Sequence, residues 1–247
     1  MLLKDKNAVI TGCNRGIGRA ILERFAQNGS NVYAVVRKET QEFLDLTREL
    51  SEKYNVNIKP VYIDLSEEEQ VRTGAKQILS DKVPIDILVC NAGISNPLTS
   101  LAMTKMDTIK NAFEVNVFSQ MLLTQLLARN MMRNKKGSII YISSSAAYDG
   151  GANVEYSASK AAVIGEMRRL AVEYGPFNIR VNAVAPGLTA TDMGNSMSEE
   201  DEKIALSMNI MHRKGRPEEI ADTVVYLGSD MSSFITGQVL RVDGGLR

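Results

Sequence analysis

The sequence predicts a doubly wound α/β domain, a Rossmann-type parallel sheet of seven strands with helices on both faces. Three observations carry that expectation. Short apolar runs alternate with helical patterns along the whole chain. Several runs are nearly continuous in apolar residues, such as Ile87-Leu88-Val89-Cys90, as expected of strands covered on both faces. A glycine cluster follows the first run at once, where a strand would turn into a helix.

Asn7-Ala8-Val9-Ile10 reads as the first strand and leads into Thr11-Gly12-Cys13-Asn14-Arg15-Gly16-Ile17-Gly18. Ile17, Ala20, Ile21, Arg24 and Phe25 then recur at helical spacing until Asn28-Gly29 gives a stop signal. Val32-Tyr33-Ala34-Val35-Val36 has the β-branched and aromatic content of the next strand. Strand, glycine turn, helix and strand make a βαβ unit, which requires a parallel sheet. Further strands are expected at 58–63, 85–90, 137–143, 179–183 and 239–242, and helices at 40–54, 67–80, 107–134, 155–174 and 217–229. No repeat, low-complexity tract or Pro/Ser linker breaks the pattern, so 1–247 reads as one domain. Residues 192–216 fit the alternation poorly; polar and Met-rich, they read as a small helical lid over a substrate.

Composition removes several function classes. The 29 Lys+Arg balance 29 Asp+Glu, which leaves no electrostatic footprint for nucleic acid. The longest apolar run is the second strand itself, far short of the roughly 20 residues that span a bilayer. Met1-Leu2-Leu3-Lys4-Asp5-Lys6 has neither the apolar stretch of a signal peptide nor the arginines of a transit peptide, so a cytoplasmic location is expected. Cys13 and Cys90 cannot build a disulfide framework, and His212 alone leaves little room for a metal centre or a His-based triad. No metal is expected.

Gly12, Gly16 and Gly18 are spaced Gly-x-x-x-Gly-x-Gly. Such a turn lets backbone approach a pyrophosphate, which then sits on unpaired N–H groups at the positive end of a helix. The plainer role for the same glycines is tight packing of helix on strand. The second strand ends Val35-Val36-Arg37-Lys38, with no carboxylate before Glu39 to bond the ribose 2′-hydroxyl of NAD. Arg37 and Arg15, if not merely solvated, would meet a 2′-phosphate and select NADP(H). Asp64 is expected either to bond the adenine amino group or to cap the helix start at 65–69.

Tyr156-Ser157-Ala158-Ser159-Lys160 puts a phenol and an ammonium one turn apart on one helix face. A phenol titrates near pH 10, and bringing it about three units toward neutrality takes roughly 4 kcal/mol of differential stabilisation. Lys160 and an oxidised nicotinamide would together supply that. Pairs with this spacing also arise by chance, so the wider constellation matters.

The turn at 11–18, Asn91-Ala92-Gly93, Asn116, the serines after Ile142, Tyr156 with Lys160, and Pro186-Gly187 resemble the short-chain dehydrogenases/reductases in their order. The resemblance spans the chain. Asn178-Ile179-Arg180-Val181-Asn182-Ala183-Val184-Ala185-Pro186-Gly187, Thr191-Asp192-Met193 and Gly237-Gln238-Val239-Leu240-Arg241-Val242-Asp243-Gly244-Gly245 are most similar to the 3-oxoacyl-[acyl-carrier-protein] reductases.

The resemblance implies roles. Tyr156 would protonate a carbonyl oxygen as hydride arrives, Lys160 would hold the nicotinamide ribose and lower the Tyr156 pKa, and Asn116 would hold a water for a proton relay. A serine after the fifth strand would polarise the carbonyl. Counting from the strand gives Ser144, and counting back from the tyrosine gives Ser143. Ser144 is preferred, because a strand constrains position more than a variable loop does, and Ser145 reads as a loop hydrogen bonder. The cofactor would be held by Gly12, Asn14, Arg15, Gly16, Ile17, Gly18, Arg37, Asp64, Leu65, Asn91, Ala92, Gly93, Tyr156, Lys160, Pro186, Gly187, Thr189 and Thr191.

Two departures stand out. Cys90 replaces the asparagine usual in the family, and both cysteines read as small fillers of tight space. Phe177 stands where the carrier-protein reductases tend to have a basic residue; Arg168, Arg169, Lys135 and Lys136 are the nearby substitutes. Met193, Met197, Met208 and Met211 would form an adaptable apolar wall for an acyl chain, or simply pack the lid, and His212 reads as a solvated loop residue. Phe113, Val117, Phe118, Met121, Leu122, Leu126 and Leu127 make the long helix apolar on more than one face. By resemblance that helix and the Tyr156 helix build a homodimer, and a second interface near the last strand builds a homotetramer. The expected activity is NADPH-dependent reduction of a carbonyl to a secondary alcohol, as a 3-oxoacyl-[acyl-carrier-protein] reductase of fatty acid synthesis. The alternatives are another carbonyl substrate (a sugar, polyol or small ketone) and a non-catalytic NADP-sensing protein.

Overall fold

In the computed structural model the described residues are 1–192, 194 and 199–246. Met193 and Met197 of the expected lid lie outside them. The described residues form one sheet of seven strands: β1 (Asn7–Thr11), β2 (Asn31–Val36), β3 (Ile58–Tyr62), β4 (Ile87–Cys90), β5 (Gly137–Ile142), β6 (Ile179–Pro186) and β7 (Val239–Val242). Their order is β3-β2-β1-β4-β5-β6-β7, and every neighbouring pair is parallel. The chain winds one way from β1 to β3 and the other way from β4 to β7. The strand order therefore reverses between β1 and β4, and a crevice opens at their C-terminal ends.

Alternate strand residues feed two cores. Val9, Leu88, Ile139 and Val181 pack beneath α3 (Glu68–Ser80), α5 (Ser119–Asn134) and α7 (Val154–Tyr174). Ile10, Val89, Ile140 and Val184 pack beneath α1 (Gly16–Gln27), α2 (Gln41–Tyr54) and α9 (Pro217–Gly228). That division is the pleat of a strand buried on both faces.

The expected helix at 107–134 is not continuous. It divides into α4 (Met106–Phe113), a π-helical turn (Glu114–Phe118) and α5. One extra residue per turn there bulges the helix at Asn116. The strand expected at 85–90 begins at Ile87, and the one expected to stop at Ala183 continues to Pro186, held by the β7 register. Between β5 and α7 lies a short helix, α6 (Ala146–Asp149), and the lid region holds α8 (Glu199–Ser207). Among the described residues no helix is long and apolar enough to cross a membrane.

Candidate active site

β1 ends in a turn that backbone bonds from Gly12 and Cys13 to the Val35 carbonyl hold against β2. Gly12 and Gly16 have φ of +76° and +55°, the left-handed region that glycine enters without strain. A Cβ on Gly12 would sit 2.9 Å from Asn91 Nδ2, and one on Gly18 would run into the Gly12 carbonyl. Helix α1 starts here with no side chain capping its amides and no acidic residue in its first turn. Glycine clearance and an uncapped helix N-terminus together fit a pyrophosphate. Asn14 is exposed in this turn and Ile17 half-buried behind it.

Thr11 and Asn91 tie the turn to β4. The Thr11 hydroxyl accepts from the amides of Asn91 (2.9 Å) and Ala92 (3.0 Å), and Asn91 Nδ2 donates to the Thr11 carbonyl at 2.8 Å. Gln120 on α5 donates to the Ala92 carbonyl at 3.0 Å. Thr11 opens the 11–18 turn in the sequence but carries no role there, and Gln120 does not stand out.

A cleft of about 220 Å³ continues from this turn, lined by Gly12, Arg37, Asp64, Leu65, Ala92 and Gly93 among others. Asp64 Oδ1 accepts from the Ser66 amide (3.0 Å) and hydroxyl (2.8 Å). The Ser66 N–H first, then its hydroxyl and the nearby Arg37 and Lys38, hold the Asp64 carboxyl below its ordinary range. Arg37 thus lines the cleft, whereas Arg15 pairs with Asp192 at 3.2 Å, both side chains exposed. The structure engages Arg15 with the start of the lid. On the far wall Gly187 bonds the Val242 carbonyl, the Thr189 hydroxyl donates to the Gly187 carbonyl at 2.9 Å, and Thr191 meets Gly16. Pro186 closes β6 directly beneath.

At the other end of the crevice, Tyr156 and Lys160 share one face of α7, with Lys160 Nζ 5.6 Å from the phenol ring centroid. Lys160 is only 4% exposed, and its Nζ donates to the Ile142 carbonyl at 2.8 Å. Burial pulls its pKa down to about 8. Burial pushes the Tyr156 phenol up, and only a hydrogen bond with the Ser144 side chain opposes it. Tyr156 is therefore a protonated phenol at neutral pH, with the Lys160 ammonium turned to the Ile142 carbonyl.

The consecutive serines take different jobs. Ser143 is buried, and its hydroxyl donates to the Lys160 carbonyl at 2.8 Å, which fixes α7 against β5. Ser144 faces Tyr156 and also accepts from the Ala146 amide at 3.2 Å. The Ser145 amide bonds the Pro186 carbonyl.

Asn116 is buried in the π-helical turn. Its Oδ1 accepts from the Ile94 amide at 2.8 Å, and its Nδ2 donates to the Ile94 carbonyl and the Ser159 hydroxyl, both at 3.0 Å. A Cβ on Gly93 would lie 3.2 Å from both Asn116 Oδ1 and Lys160 Nζ, so the glycine lets the loop after β4 run close past both groups. That loop is also fastened from α7. Asn153 Nδ2 donates to the carbonyls of Asn96 and Pro97, and Glu155, 1% exposed, accepts from Asn96 and Asn153. Both cysteines are buried; burial pushes the Cys13 thiol up, and that of Cys90 to about 12. His212 sits exposed in a turn with φ +48°. Among the described residues no group of His, Cys, Asp and Glu could hold a metal ion.

A family model described as enoyl-(acyl carrier protein) reductase matches residues 12–247. The chain is a short-chain dehydrogenase/reductase. It is 38% identical to the 3-oxoacyl-[acyl-carrier-protein] reductase FabG of Aquifex aeolicus, over 99% of this chain and 98% of that one. A putative NAD(P)-dependent gluconate 5-dehydrogenase from Beutenbergia cavernae with bound NADP superposes with a TM-score of 0.91 at 31% identity, covering 98% of this chain and 96% of the other. A 7α-hydroxysteroid dehydrogenase complexed with NADH and 7-oxo glycochenodeoxycholic acid gives 0.88 at 34%, covering 99% and 95%. As a member of this family the chain is an oxidoreductase acting on CH–OH or carbonyl groups.

Proposed function

We propose that the chain reduces the keto group of a 3-oxoacyl thioester, presented by acyl carrier protein for fatty acid synthesis in the cytoplasm, with NADPH as reductant. The observation that carries the proposal is the buried, protonated Tyr156 phenol beside the Ser144 hydroxyl and one turn from Lys160.

NADP(H), which Gly12, Gly16 and Gly18 at the start of α1 would hold, would supply hydride to the carbonyl carbon. Everything else falls to the chain. Ser144 donates a hydrogen bond to the carbonyl oxygen, and Tyr156 delivers a proton to that oxygen as negative charge grows there. Lys160 stabilises the phenolate that remains and relays a proton back to it, and Asn116 holds the water through which Lys160 recovers its own proton. Asn14, Ile17, Leu65 and Thr191 complete the cofactor's seat. Arg37, with no carboxylate at the end of β2, favours the 2′-phosphate of NADP(H).

Apolar residues exposed beyond the C-terminal end of the sheet support a substrate with an apolar body. Leu98, Leu101, Met103 and Met106 follow β4, and Met208 and Met211 lie in the lid region. Exposed Lys135, Lys136, Arg168 and Arg169 offer positive charge to an acidic carrier protein in place of Phe177. Phe118 of the π-helical turn, Met121 of α5 and Val172 of α7 are exposed and support a homodimer or homotetramer. The same apolar surface favours a second reading, reduction of a ketosteroid.

The test is NADPH oxidation with acetoacetyl thioesters, a keto bile acid and keto sugars. Fastest turnover of the thioester is expected. Turnover confined to a steroid or a sugar would replace the substrate and keep the site.

A further inference from the structure

A chain of buried polar groups runs beneath the reacting end of the site and has no part in the steps above. Tyr141 of β5 donates to Glu166 Oε1 of α7 at 2.7 Å. The Tyr141 and Thr124 hydroxyls lie 2.9 Å apart, and Thr124 Oγ1 lies 3.6 Å from Cys90 Sγ. Tyr141, Thr124 and Cys90 are at most 3% exposed. Glu166 Oε2 is buried with no hydrogen-bond partner among the described residues. At the other end Cys90 lies within electrostatic reach of both Lys160 and Glu166.

Proton counting fixes the direction of this chain. Each hydroxyl and the thiol carries a single hydrogen. An ionised Glu166 only accepts, so Tyr141 spends its hydrogen there, Thr124 donates to Tyr141, and Cys90 donates to Thr124. The Cys90 sulfur then presents lone pairs, not hydrogen, to its remaining surroundings; Cys90 pairs with Tyr141 across β4 and β5, and Lys160 Nζ binds the carbonyl of the next residue, Ile142, within electrostatic reach of that sulfur. A protonated Glu166 donates instead. The series reverses, and the Cys90 hydrogen is released toward Lys160.

We propose that Glu166 is a positioning residue that biases Lys160 toward its ammonium form through Tyr141, Thr124 and Cys90, and so sets the alkaline limit of turnover. This rests on the reading that Tyr156 and Lys160 do the chemistry. The groups facing the chain are Cys90 from β4, Tyr141 from β5, Thr124 from α5, and Lys160 and Tyr174 from α7, with Arg129 of α5 and Glu173 beyond Tyr174. At Glu166 burial dominates, countered only by the Tyr141 hydroxyl, and the carboxyl is raised to about 7, so both directions of the series are reached near neutral pH. Because burial has already brought Lys160 to about 8, a small bias changes its charge in the working range.

The test is the pH–rate profile together with the titration of the ¹³C-labelled Lys160 ε-carbon in the cofactor-free protein. Glu166→Gln removes the charge and Thr124→Val cuts the series isosterically, with Tyr141→Phe as a second cut where it folds. Each is expected to move the Lys160 titration and the alkaline limb down by about 0.5 pH unit, a roughly threefold loss of rate beyond the limb. The double variant Glu166→Gln/Thr124→Val should shift no further than the larger single. A shift with Glu166→Gln alone, or none at all, overturns the proposal. Tyr156→Phe separates the two failures, since turnover surviving in that variant defeats the underlying reading while the lysine titration still reports the coupling.

Discussion

Along β1 and β2 the site is made of backbone. Glycines hold left-handed turns, uncapped α1 amides point into the crevice, and the charged groups, Arg15, Arg37 and Asp64, stand near water. Along β4, β5 and α7 it is made of desolvated side chains. Lys160, Asn116, Ser143 and Glu155 are each at most 4% exposed, and burial moves Tyr156 and Lys160 away from their ordinary pKa values in opposite directions. Backbone amides hold an anion at any pH and need only clearance. Proton transfer needs groups whose charge is expensive, and burial makes it so. Damage to the first region should show in binding, and damage to the second in the chemical step.

The largest departure expected in the backbone half is steric. Gly18→Ala drives a methyl group into the Gly12 carbonyl, and overpacking of this kind costs up to about 3 kcal/mol. A lower melting temperature and loss of NADPH binding by fluorescence titration are expected. A variant that binds normally would show that the turn is not a phosphate cradle. A smaller effect is expected at Arg37, where Arg37→Ala should weaken NADPH about tenfold and leave NADH nearly unchanged. Equal weakening of both cofactors would detach Arg37 from the 2′-phosphate.

The same contrast explains what the sequence disclosed. Strands buried on both faces write themselves as apolar runs, so all seven were legible to within a few residues, as was the glycine turn between β1 and α1. Tyr156 and Lys160 are neighbours along one helix, and their spacing placed them on one face. The π-helical turn at Asn116 was not legible, because an extra residue in a helix leaves the apolar pattern on either side intact. Arg15 also pairs with Asp192, 177 positions away, a contact that local pattern cannot carry. Glu155 and Glu166 carry no motif in the sequence; only the packing of the loop after β4 and of Tyr141 shows that both carboxylates are drawn inward.

The central claim is that a desolvated phenol gives up its proton to the substrate oxygen. Tyr156→Phe removes that single hydroxyl and leaves the glycine turn untouched. With the best carbonyl substrate and saturating NADPH, kcat is expected to fall by about 10³-fold while the NADPH dissociation constant stays within a factor of two. Turnover within tenfold of the unmodified chain would contradict the account.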